Sequence, residues 1–99
     1  MKEYLKRIEN YLGKLGEEKI ECGNQIFSWQ RELDSAKELL EIIDDNSSLV
    51  FWQKRRILTA ESIILNLKIR VEQIELEQEE LKTQIKVLSS NIKEISQER

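Results

Sequence analysis

Apolar residues recur along this chain in alternating steps of three and four. In the first half the series is Leu5, Ile8, Leu12, Leu15, Lys19, Cys22, Ile26, Trp29, Leu33, Ala36, Leu40 and Ile43, with Lys19 its one plainly polar member. In the second half it is Ile57, Ala60, Ile64, Leu67, Val71, Ile74, Gln78, Leu81, Ile85, Leu88, Ile92 and Ile95, and here Gln78 is the polar member. Such steps average about 3.5 residues, the repeat that keeps one seam of a helix against a partner in a left-handed supercoil. The two series are out of phase. Continuing the first past Ile43 calls for positions 47, 50 and 54, whereas the second runs back through 50, 53 and 57.

Between the two tracts lies DDNSS, Asp44 to Ser48, residue types that favour turns and helix N-caps over helix interiors. The pattern predicts an all-α fold: a long antiparallel helical hairpin, or coiled coil, dimerising into a four-helix bundle. Helix 1 is expected over about 3–44, a turn over about 45–48 and helix 2 over about 49–96, in a single domain 1–99. One continuous helix with a local stammer is the competing reading, because no Gly or Pro compels a break there. At ~1.5 Å per residue each arm would run roughly 60–75 Å. Setting Ile43 near Val50 fixes a register in which seam partners sum to about 93. Leu33 then faces Ala60, Ala36 faces Ile57, Trp29 lies by Ile64 and Leu15 by Gln78, large against small. Lys19 and Gln78 fall one layer apart, where polar seam residues set register or partner number at some cost in stability.

The second arm carries more apolar surface than one partner helix can cover. Leu58, Leu65, Ile69 and Leu76 form a further stripe, and Ile63 widens the seam. On the first arm Ile20 and Phe27, seven apart, hint at the same. Helices apolar on two faces are buried on two faces. The stripe therefore calls for another helix, from a second copy or a different protein, and a homodimer of hairpins is the leading expectation. A parallel two-stranded coil is the alternative, favoured by β-branched residues at the first seam position of the second arm. The glycines Gly13, Gly16 and Gly23 weaken the first arm, each by ~1 kcal/mol relative to Ala. They read as weak spots held by packing, or as a hinge near LGKLG.

Composition agrees with this class. Charged residues are 35% of the 99, Pro is absent, and Glu outnumbers Asp sixteen to three, which favours helix because Asp competes for the backbone. The net charge of −3 argues against a general binder of polyanions. No stretch approaches a membrane span or a signal peptide, and the one cysteine, Cys22, allows no internal disulfide. A cytoplasmic location is expected, the host-cell cytoplasm if the source is a phage or mobile element.

Little in the chain suggests catalysis. Histidine, the commonest general base and metal ligand, is missing. Cys22 falls on the seam with no activating base beside it. Glu72, Glu75, Glu77, Glu79 and Glu80 are the densest acidic run, but on a helix they spread around the outer face instead of converging on a cation. No catalytic residue, metal ligand or cofactor is expected.

One segment departs from the rest. FWQKRR, Phe51 to Arg56, sets two of the six aromatics beside three of the sixteen basic residues. Three readings compete. Phe51 and Trp52 could plug the hairpin end over Leu39, Ile42 and Ile43, with the cations facing Asp44 and Asp45. The same segment could dock another protein, since Trp and Arg dominate binding hot spots. Or Lys54, Arg55 and Arg56 could hold phosphates while an aromatic stacks on a base. The expected function is a non-enzymatic protein-binding module, an adaptor, chaperone or inhibitor of a larger assembly. It would act through Phe51, Trp52, Arg55 and Arg56 at the tip and the stripe Leu58, Leu65, Ile69 and Leu76. The alternative is a small regulator touching nucleic acid through Lys54–Arg56.

Overall fold

The structure, a computed structural model, describes residues 2–45 and 48–97, with the side chains of 93–97 outside that description. The expected turn residues Asn46 and Ser47 and the seam side chain of Ile95 therefore lie outside the described residues. Two helices follow each other, α1 (Lys2–Ile42) and α2 (Ser48–Gln97), and they form a hairpin. There is no strand, and no residue takes a positive φ, among the described residues. The chain breaks where the two heptad series fall out of phase. The Ile43 amide donates to the Leu39 carbonyl at 3.1 Å and closes the last turn of α1, immediately before Asp44 and Asp45. Ser48, an N-cap residue type, opens α2.

The chain divides into two compact units, each with a strand of core from both helices. The first comprises Glu21–Val71 and includes the turn. Its core is Leu33, Ala60 and Ile64, with Ile26, Trp29 and Ile57 packed against it. Cys22 and Ala36 are also buried there. Small Ala60 lets the bulky Leu33 and Trp29 enter the seam, the large-to-small matching that fills a two-helix interface. On one flank Arg56 donates to the Glu32 carboxylate at 2.7 Å and to Gln53 Oε1 at 2.8 Å.

The second unit comprises Met1–Ile20 and Glu72–Arg99. Ile8, Leu15 and Ile74 are its buried residues, the last two fully so. The polar seam residues are accommodated at the edge. Lys19 reaches out to Glu75, Nζ to Oε1 3.3 Å, so its ammonium remains partly solvated instead of meeting Gln78 in the adjoining layer. Gln78 lies over Gly16, where an added Cβ would stand 3.9 Å from its Nε2. Tyr11 donates to Glu77 at 2.7 Å on the flank. Each unit is thus fastened on a flank by a polar contact between its own two helices.

Two substitutions test this packing. Leu33→Ala opens a cavity opposite Ala60 and is expected to lower stability by about 2–5 kcal/mol in urea denaturation. Gly23→Ala should raise it by up to ~1 kcal/mol, because nothing lies within 4 Å of the added methyl and the backbone is already helical. A hinge at the glycines would instead make that second change costly to function.

Candidate functional site

The tip segment enters α2 in its first turn, and that position decides where its side chains go. Val50 and Gln53 occupy the seam phase and are half-buried, so Phe51 points away from α1 and Trp52 lies on the flank, beside Trp29 and Glu32. They remain 64% and 54% exposed. The rings meet edge to face with centroids 5.7 Å apart and an interplanar angle of 76°. The Arg55 guanidinium carbon stands 5.9 Å from the Trp52 centroid, at the outer limit of cation–π attraction. Phe51, Trp52 and Arg55 therefore form one connected surface group.

That geometry does not make an end-plug. Ile42, one of the residues to be covered, is 80% exposed. Arg56 pairs with Glu32, and Arg55 lies over the indole. The physical reason is helix phase. Residues next to a seam position on a straight helix are carried around the side, not over the end.

The structure adds two residues that sequence reasoning left out. Trp29, half-buried on α1, and Glu32 join Trp52, Arg55, Arg56, Thr59 and Ala60 around a shallow cleft of about 270 Å³. Both tryptophans of the chain line it. Glu32 and Arg56 occupy matching flanks of the two seams with opposite charge, so the heptad pattern carried that signal. Trp29 was assigned to the seam, and the pattern gave no sign that its ring also borders a cleft.

The stripe residues are all solvent-facing. Leu58 is 68% exposed and Leu76 73%, and Leu65 and Ile69 are exposed as well. Ile20 and Phe27 on α1 are similarly bare. Ile63 is half-buried, as a residue widening the seam would be. Val87 is a further exposed apolar residue on α2 that the sequence reading did not include.

Among the described residues, no group of three His, Cys, Asp or Glu side chains is placed to hold a metal ion. No helix there is long and apolar enough to cross a membrane. Cys22 is buried and free. Compared with protein-family models, with curated proteins and with solved structures, the chain finds no match.

The Arg56–Glu32 pair has side chains 41% and 60% exposed, so solvent screens it. Arg56→Met should cost no more than about 1 kcal/mol of stability in a thermal melt, and less in 1 M salt. A larger loss would mean that the pair holds the hairpin together, and would remove Arg56 from the surface available to a partner.

Proposed function

We propose that the protein is a non-enzymatic binding module that engages another protein with its tip and recruits a helix along α2, leading to a homodimer of hairpins. The observation that carries this reading is the pair of bulky apolar surfaces left in water, Phe51 with Trp52 at the tip and the stripe Leu58, Leu65, Ile69 and Leu76. Contiguous exposed apolar surface of this kind marks an interaction site on a soluble chain. At the tip, the residue types and the edge-to-face and cation–π contacts match those of binding hot spots, with aromatic anchors already held by neighbours. An adaptor, chaperone or inhibitor of a larger assembly is the functional class that such a module serves.

A nucleic-acid regulator is the second reading, favoured by Lys54 and Arg55, which form no ion pair among the described residues. Against it stand the small number of cations and the net charge of −3.

A nuclease-treated pull-down from source lysate, wild type beside Trp52→Ala with Arg55→Glu, tests the tip. A protein band that survives nuclease and vanishes with the variant is expected. Retention by both would return the tip to a structural role. Binding that collapses between 50 and 200 mM salt and is lost on nuclease treatment would favour phosphate contacts. The stripe is tested by Leu65→Glu with Ile69→Glu, which should lower the assembly mass by light scattering while helicity persists in circular dichroism. An unchanged mass would sink that half of the proposal.

A further inference from the structure

α2 is one α-helix from Ser48 to Gln97. With 3.6 residues per turn, Phe51, Leu58, Leu65, Ile69 and Leu76 fall within a strip about 40° wide around it. The strip lies on the side opposite the buried Ala60, Ile64 and Ile74. Its spacing has a particular symmetry. Leu58 precedes Leu67 by nine residues and Leu76 follows it by nine, while Leu65 and Ile69 flank it by two. A strip with that property complements itself when two copies run in opposite directions.

From this we infer that the occupant of the α2 strip is the α2 strip of a second copy, packed antiparallel about a twofold axis at the level of Leu67. Leu58 then meets Leu76 of the second copy, and Leu65 meets Ile69 of the second copy. The inference rests on the reading that the stripe recruits a helix, and supplies its identity, direction and register.

The flanking charges select this arrangement. In antiparallel helices related by a twofold axis, each flank faces the same flank of the other copy. Lys54 and Arg55 border the strip on its two sides near one end, and Glu79 and Glu80 border it on the same two sides near the other. The register that stacks the leucines brings Lys54 to Glu79 of the second copy and Arg55 to Glu80 of the second copy, twice over by symmetry. Ser62 comes opposite Gln73 of the second copy. None of these four charged side chains has an ion pair within the described chain. A parallel pairing would set Lys54 and Arg55 against their own counterparts, and Glu79 and Glu80 against theirs. One approach opposes the antiparallel register, Glu61 to Glu72 of the second copy. Lys68, one turn from Glu72 on its own helix, offsets part of it. The two α2 helices would occupy the middle of the assembly, with each α1 on the outside.

The test is sedimentation equilibrium on the full chain, with circular dichroism to confirm helicity. Wild type is expected to dimerise. Lys54→Glu with Arg55→Glu, and separately Glu79→Lys with Glu80→Lys, should each weaken self-association by about tenfold or more. Mixed in equal amounts, the two variants should dimerise again. A single chain carrying all four substitutions should recover as well, because the swapped charges still meet opposite partners only if the helices are antiparallel. A monomeric wild type, a dimer indifferent to both reversals, or no recovery with four substitutions overturns the pairing. Failure of the pairing and failure of the binding function read out separately. A pull-down with Trp52→Ala alone tests the tip without reference to dimerisation, because Trp52, unlike Arg55, takes no part in the proposed pairing. A mass lowered by Leu65→Glu with Ile69→Glu but not by the charge reversals discards this register alone.

Discussion

Two helices side by side can bury one stripe from each, and that limit governs this molecule. Eight apolar side chains among the described residues are buried, and every one of them lies on a seam. The seam works because large members meet small ones, as where Ala60 admits Leu33 and Trp29 from the opposite helix. Polar members survive on it only near an exit to water. Lys19 takes that exit toward Glu75, and Gln78 uses the space left open above Gly16.

A core this thin gives little stability for its length, since small folds bury a low fraction of their surface. The exposed strip on α2 is the other half of the same arithmetic. A helix that carries apolar residues on two opposite sides can bury only one of them inside a hairpin, and the second side stays in water. The tip follows from the same constraint. Once Val50 and Gln53 take the seam phase, Phe51 faces outward and Trp52 the flank, where their rings and Arg55 support one another. Their exposure is a consequence of helix phase, and it leaves an aromatic pair near the hairpin end.

Much of the fold was legible in the residues. The phase slip between Ile43 and Val50, with Asp and Ser in the gap, marked the break between helices. The pairing of Leu33 and Trp29 with Ala60 and Ile64 followed from the register that the break imposed. The candidate site was legible as a set of residue types and less so as an arrangement. The reading of Phe51 and Trp52 as a plug leaves Ile42 uncovered, because a neighbour in sequence is a quarter-turn away on a helix. Arg56 turned to Glu32, which lay within reach on the facing flank.

Periodicity along one dimension therefore determined the class of this protein: two helices, one seam, a turn between them, and an apolar strip left over on the second helix. It could do so because heptad spacing maps directly onto the face of a helix, whatever the helix meets. Which cation meets which carboxylate, and whether a tryptophan ends up sealed or beside a cleft, were decided only by tertiary structure. Those outcomes depend on distances between the two helices, and no spacing along either one of them contains that information.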